Sequence, residues 1–305
     1  MKIAVVGAGA MGSLFGGMLI EIGADVWLIH RRPEYVKAIN ENGISIERNK
    51  QTRIIPARAT VDPDDVGKAD LIIIFVKSPQ TRDAARTVIK LADSQSLIVS
   101  LQNGLGNGDI ITEVVGKPDQ VIAGATSHGA TLLGPGIIRH AGTGPTVMGI
   151  WTGGEKPAVH KIADLFENAG IATQVVSDAK RVVWEKLLIN VGINAITALT
   201  GIKNGELLDL PGTREISEQA VREAMTVARA KGINVRDDAV EYMLEVARRT
   251  KLNRSSMGQD ADKKKQTEIN AINGAIVTQA EKLGLKVPVN KTLTALVEAL
   301  QAHYS

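Results

Sequence analysis

The sequence predicts an α/β protein: an N-terminal doubly wound parallel sheet followed by an all-α C-terminal domain. Three observations carry this. Short apolar, strand-like runs recur through the first half; glycines spaced G-x-G-x-x-G follow the first of them; and strand signals stop after about residue 177, where long helical patterns take over. A chain of 305 residues is long enough for two domains, which we place at 1–176 and 177–305.

Residues 2–6 (KIAVV) form a short apolar, β-branched run. GAGAMG follows, then a helical stretch to about Ile22, then a second strand at 24–30 (ADVWLIH). This strand–turn–helix–strand context makes the glycine pattern a Rossmann-type dinucleotide fingerprint. Gly7 allows the tight turn, Gly9 lets backbone approach a pyrophosphate, and Gly12 lets the helix pack close to the sheet. The whole turn, Gly7, Ala8, Gly9, Ala10, Met11 and Gly12, is the candidate cofactor cradle, because the helix N-terminus turns unpaired N–H groups toward the phosphates. Residues 3–20 carry no charge, so by length alone they would suit a membrane span or signal-peptide core, but five glycines argue against both.

The run at 71–77 (LIIIFVK) is continuously apolar, as expected of a central parallel strand covered on both faces, and 96–104 (SLIVSLQNG) is another. Residues 121–149 alternate apolar positions with many glycines and read as β-rich; 172–176 (ATQVV) is a last strand. Helical patterns then fill 178–200, 213–231, 236–251, 260–283 and 289–302, with Gly201, Gly232 and Gly284 at expected C-caps.

Ligands of open α/β sheets bind outside the carboxyl ends of the strands. Lys77 and Asn103 end two strands and so point to the cofactor crevice; plain alternatives are a solvated strand-end charge and an Asn-Gly turn with Asn left-handed. The second strand ends in His30-Arg31-Arg32, where an NAD site would carry an acidic residue. Two guanidiniums there favour a 2′-phosphate, hence NADP(H).

The helical half is most informative at 184–201 (WEKLLINVGINAITALTG). This segment is apolar around nearly its whole circumference, yet Lys186, Asn190 and Asn194 recur at i, i+4 and i+8. At about 100° per residue they drift only about 80° around the axis and form one polar stripe. Burying an ammonium costs several kcal/mol unless it is paired. Core packing gives no reason for it; a substrate with a carbonyl to protonate and a hydroxyl to hold would. Further along, Ser255 and Ser256 precede a helical stretch in which Glu268 lies beside Ile269, Ile272 and Ile276, placed to partner Lys186. Lys263, Lys264 and Lys265 read as a solvated face. His128 could line the cleft but reads better as a satisfied structural histidine. The five histidines show no metal-ligand spacing, and no metal is expected.

Composition narrows the classes. Aromatics are only 3% and the net charge is +3, which argues against nucleic-acid readers but suits small anionic ligands. The absence of cysteine excludes disulfides, thiolate metal sites and a cysteine nucleophile.

Together these residues resemble the ketopantoate reductase (2-dehydropantoate 2-reductase) family. The resemblance spans nearly the whole chain: GAGAMG, LQNGLGN (101–107), GATLLGPG (129–136), WEKLLINVGINA (184–195), SSMGQD (255–260) and TEINAING (267–274). It implies NADPH-dependent reduction of 2-dehydropantoate to (R)-pantoate, in pantothenate and coenzyme A biosynthesis. It also implies Lys186 as catalytic lysine, Asn190 and Asn194 as substrate-binding asparagines, and Ser256 as the holder of the substrate carboxylate. Glu268 becomes the acid near the lysine and the cofactor, and Asn103 the residue at the junction of cofactor and substrate. Lys77 is the strand-end lysine at the cofactor, and Arg31 the 2′-phosphate contact. Gly258 and Asn270 depart from the family's usual Leu and Asp and bear on pocket shape. The rivals are a reductase of another branched 2-oxo acid, a β-hydroxyacid dehydrogenase, and a non-enzymatic NADP sensor. A cytoplasmic protein is expected, with no nucleic-acid or membrane partner, whose C-terminal helices could support a homodimer.

Overall fold

The structure is a computed structural model and describes residues 1–304. It divides into two compact units: Met1–Gln102 with Asn107–Val182, and Asn103–Gly106 with Val183 onward.

In the first unit, β1 (Lys2–Val6), α1 (Ala10–Glu21), β2 (Asp25–Ile29), α2 (Pro33–Asn42), β3 (Ile44–Arg48), β4 (Gln51–Ile55) and β5 (Arg58–Thr60) come first. Then follow β6 (Leu71–Ile74), α3 (Thr81–Leu91), β7 (Leu97–Ser100), α4 (Asn107–Val115), β8 (Val121–Thr126), β9 (Gly129–Gly134), β10 (Ile137–Gly142), β11 (Thr146–Ile150), α5 (Pro157–Asn168) and β12 (Thr173–Val175). Eight strands form one sheet in the order β12-β11-β8-β7-β6-β1-β2-β5, parallel except for the β8–β11 pair. The chain winds outward from β1 through β2 to β5, then returns to the other side of β1 through β6, β7 and β8. The strand order therefore reverses between β1 and β6, and a crevice at their carboxyl ends is the expected ligand site of such a sheet. The central strands are buried on both faces, which is why they read as continuous apolar runs.

A second sheet, β4-β3-β10-β9, was not expected from the sequence. It accounts for the uncharged run at 3–20. Helix α1 packs against β1 and β2 on one side and against this small sheet on the other. A Cβ at Gly16 would lie 2.6 Å from Leu28, and one at Gly17 2.8 Å from Ile46. The glycines thus let one helix sit tightly between two sheets, and no position on it is left for a charge until Glu21. The β3–β4 hairpin turns at Asn49-Lys50, both left-handed (φ 51 and 64), as a two-residue hairpin turn requires. Its signal was the alternation in ISIER (44–48); the polar β4 hid it.

Helix α6 (Ala179–Thr200) begins just after the boundary expected at 176/177, and the unit boundary falls within its first turn. It is long and apolar enough to cross a membrane by length and composition alone, but most of it is buried. From Trp184 onward it is the centre of the second unit's core, with Leu187, Leu188, Val191, Ile193 and Ile196 against the other helices. Around it lie α7 (Glu206–Asp209), α8 (Pro211–Ala230), α9 (Ala239–Arg249), α10 (Ser256–Asp262), α11 (Asn273–Leu283) and α12 (Pro288–Ala302). Gly201, Gly232 and Gly284 are left-handed (φ 79, 74 and 68), as expected of helix ends.

The single helix expected over 260–283 is broken. Helix α10 stops at Asp262, Lys264 turns left-handed (φ 49), and the chain makes a 3₁₀ turn at Ile269–Ala271 before α11 starts. Ile269, Ile272 and Ile276 still reach the core, so burial of the apolar positions won over continuity of the helix. Lys263, Lys264 and Lys265 are exposed on the intervening turn.

Candidate functional site

The glycine turn has the geometry of a phosphate cradle. Gly7 is left-handed (φ 102), and a Cβ there would lie 2.8 Å from the Val76 backbone nitrogen. The Gly7 and Ala8 N–H groups donate to the Ile29 carbonyl (3.0 and 3.1 Å), which joins the turn to the end of β2. A Cβ at Gly12 would collide with the Gly7 carbonyl oxygen; one at Gly9 would meet nothing within 4 Å. Gly9 caps α1 without a side-chain hydrogen bond, so the first N–H groups of the helix, at Ala10 and Met11, are not satisfied by a cap and suit an anion. Ala8 is buried beneath the turn.

Lys77 does not end a strand: β6 stops at Ile74, and Lys77 stands at the N-cap of a 3₁₀ turn, Ser78–Gln80. The strand ends early because the chain turns away where Gly7 approaches Phe75 and Val76. A buried polar network fixes this loop. Gln102 Nε2 donates to the Val76 carbonyl and to Thr81 Oγ1 (both 2.8 Å), and Thr81 Oγ1 donates to Asn107 Oδ1 (2.7 Å). Arg31 is exposed after β2, and with the Gln80 amide oriented to satisfy its neighbours, the Gln80 oxygen accepts from both Arg31 Nη atoms at 3.1 Å. The structure therefore adds Gln80 to the Arg31 side of the cradle and Gln102, Thr81 and Asn107 beneath it. None has a role legible in the sequence, because a polar side chain gives no signal until its partner is known. His30 stacks on Tyr35 at 4.4 Å, and burial holds its pKa below the usual histidine value.

His128 is only half the satisfied histidine expected. Arg48 Nε donates to His140 Nδ1 (2.9 Å), so His140 carries its proton on Nε2 and donates to His128 Nδ1 (3.0 Å). His128 is then protonated on Nε2, which is buried and without a partner. Burial holds both histidines low, His140 at about 4.

The second unit gathers the other candidates. Asn103 opens the loop 103–106, where Gly104, not Asn103, takes the left-handed conformation (φ 83). A Cβ on Gly104 would lie 2.6 Å from the Ala271 carbonyl oxygen, and the Leu105 N–H donates to that oxygen at 2.8 Å. On α6, Lys186 and Asn190 are half-buried and Asn194 is buried. Protein packs densely enough around the Lys186 ammonium that burial lowers its pKa to about 8, while the Glu268 carboxylate opposes the shift. Glu268 is thus near Lys186 as anticipated, although it precedes the 3₁₀ turn instead of lying within a helix. Asn194 Nδ2 is buried with no protein partner, a donor held ready for something else.

The two serines differ. Ser255 caps α10: its Oγ accepts from the Gly258 N–H (2.9 Å) and lies 2.7 Å from Thr197 Oγ1. Thr197 continues the Lys186–Asn190–Asn194 stripe by i+3, so this contact ties the start of α10 to that stripe. Ser256 is the exposed first residue of the helix. Gly258 also has a reason here. A Cβ on it would lie 2.6 Å from the Arg254 guanidinium, which donates to the Thr197 and Ile202 carbonyls and pairs with Asp262. Among the described residues, no group of three or more His, Asp or Glu could hold a metal ion.

Residues 3–153 match the family model of ketopantoate reductase PanE/ApbA, and residues 178–301 match its C-terminal domain. The chain belongs to the ketopantoate reductase family. A 2-dehydropantoate 2-reductase from Halobacterium salinarum is 39% identical over 302 residues, covering 99% of each chain. Among solved structures, a PanE/ApbA family ketopantoate reductase from Ralstonia eutropha superposes with a TM-score of 0.91 at 33% identity, over 99% of each chain. D-mandelate dehydrogenase, solved with NADH and anilino(oxo)acetate, superposes with a TM-score of 0.94 at 29% identity, also over 99% of each chain.

Proposed function

We propose that this family member is a cytoplasmic oxidoreductase that reduces 2-dehydropantoate to (R)-pantoate with NADPH. The observation that carries the reading is the half-buried Lys186, whose pKa of about 8 is set by burial against the opposing Glu268 carboxylate, in line with two asparagines on one helix. The turn Gly7–Gly12 would hold the pyrophosphate. Arg31, seated on Gln80, would meet the 2′-phosphate, with Lys77 nearby in the loop after β6 and Asn103 and Glu268 toward the nicotinamide. When bound, the nicotinamide supplies the hydride that reduces the ketone carbon C2.

The protein's own part is binding and proton transfer. Ser256 takes the substrate carboxylate. Asn190 and Asn194 hold the distal hydroxyl, the latter through its unpaired Nδ2. Lys186 is charged in most molecules at neutral pH and donates a proton from Nζ to the carbonyl oxygen as C2 is reduced. That transfer typically contributes ~10²–10⁴-fold in rate. Glu268 keeps the ammonium charged and orients it. The test is turnover of Lys186→Ala: kcat is expected to fall by about 10²-fold or more with NADPH binding intact, and unchanged turnover would remove Lys186 from the chemistry.

A second reading rests on the likeness to D-mandelate dehydrogenase: a 2-oxo acid lacking the distal hydroxyl, reduced with NADH. Absorbance at 340 nm with 2-dehydropantoate, 2-oxoisovalerate, 2-oxoisocaproate and phenylglyoxylate, each with NADPH and NADH, separates the two.

A further inference from the structure

Residues 268–273 run beside α6 and carry tie points to the candidate site. At one end the Glu268 carboxylate acts on Lys186. In the middle, the Ala271 carbonyl accepts from Leu105 and packs against Gly104, holding the loop that begins with Asn103. At the other end Asn273 Nδ2 donates to the Val191 carbonyl of α6 (3.2 Å) and to Asn290 Oδ1 (3.0 Å). Asn290 is anchored in turn, its Nδ2 donating to the Ala220 carbonyl (3.0 Å) and to Glu223 (2.8 Å), while Glu223 also accepts the Val289 and Asn290 N–H groups.

Asn273 is fully buried, and its Oδ1 has no partner. An unsatisfied buried acceptor costs about 1–3 kcal/mol. An apolar side chain of similar size would remove that cost but leave the buried Asn290 Oδ1 without its donor, so the amide is kept for the contacts its Nδ2 makes. The Val191 carbonyl lies on the turn of α6 that carries Asn190 and precedes Asn194.

We propose that Asn273 is a positioning residue that fixes the register of the 268–273 segment against α6, and so sets where Glu268 and Asn103 stand relative to Lys186. This rests on the assignment of Lys186 as the proton donor. It acts through Glu268 and the loop 103–106, not by touching substrate.

The experiment uses the full chain and a readout that needs no turnover. Labelling of Lys186 by trinitrobenzenesulfonate is followed against pH by peptide mass spectrometry, since only the neutral amine reacts. Wild type should be half-reactive near pH 8. Glu268→Gln removes the charge that raises the Lys186 pKa, so its midpoint moves to lower pH. Asn273→Ser should move the midpoint the same way by a smaller amount. Its kcat should fall about tenfold to a hundredfold, the scale of a misplaced catalytic group, with NADPH affinity retained. Val240→Ala, a cavity on α9 away from the segment, should leave the midpoint in place. Asn290→Ser removes the acceptor that seats Asn273 and should give the same shift if Asn273→Ser does not fold. An unmoved midpoint in both the Asn273 and Asn290 variants overturns the proposal, as does an equal shift in Val240→Ala. Normal turnover of Lys186→Ala would instead overturn the acid assignment on which the proposal stands. An inactive Lys186→Ala beside unmoved midpoints in both the Asn273 and Asn290 variants refutes the positioning role alone.

Discussion

If Lys186 is the proton donor, catalysis must fail at a pH far below that of an ordinary lysine. Burial lowers its pKa from 10.5 to about 8 against the opposing effect of Glu268, a shift that makes the ammonium about 3 kcal/mol harder to keep. With a pKa of about 8, roughly nine-tenths of the molecules carry the proton at pH 7 and roughly one-tenth at pH 9. The rate kcat/KM, which reports the free enzyme, should therefore fall about tenfold across that interval. An unperturbed lysine would produce almost no change there. In Glu268→Gln the descending limb should move to lower pH, because the charge that favours the ammonium is gone. The assay is NADPH oxidation at 340 nm at fixed ionic strength from pH 6 to 10. A profile flat to pH 10, or a Glu268→Gln limb displaced upward, would refute the reasoning. Stability runs the opposite way with pH. Between pH 8 and 10.5 the unfolded chain binds the Lys186 proton and the folded state does not. The residue therefore weakens the fold below pH 8, and the penalty disappears as pH rises toward 10.5.

Other perturbations separate structure from binding. Gly12→Ala puts a Cβ into the Gly7 carbonyl and should cost about 1–3 kcal/mol along with nucleotide binding, read by thermal unfolding and fluorescence titration. Gly9→Ala meets nothing in the protein, so it should keep wild-type stability and lose NADPH affinity; full affinity would mean that no pyrophosphate lies there. Arg31→Ala should raise the KM for NADPH and leave that for NADH nearly unchanged, whereas equal effects would place the 2′-phosphate elsewhere. His140, held at about 4 when folded against 6.5 as the ordinary value, takes up its proton first in the unfolded chain. Stability should fall by about 3 kcal/mol as pH drops from 6.5 to 4, and urea unfolding at pH 7 and 5 that shows no loss would contradict the buried pair.

The sequence by itself determined what depends on local pattern. The Gly7–Gly12 spacing between a strand and a helix, the continuous apolar strands and the polar stripe on α6 follow from backbone geometry and side-chain period, and all are legible along the chain. Tertiary contact alone decided the rest. Polar 51–55 became a strand because β3 offered it an edge. The uncharged run at 3–20 became a helix between two sheets because glycines let both approach. The helical pattern over 260–283 broke so that Glu268 and Ala271 could face α6 and the 103–106 loop. Gln80, Thr197 and Asn273 gave no signal, because a hydrogen-bonding side chain acquires a role only from the partner that the fold brings to it. The lowered pKa of Lys186 belongs to the same class: the sequence shows a lysine on an apolar helix, but how deeply it lies, and which carboxylate answers it, is set by packing.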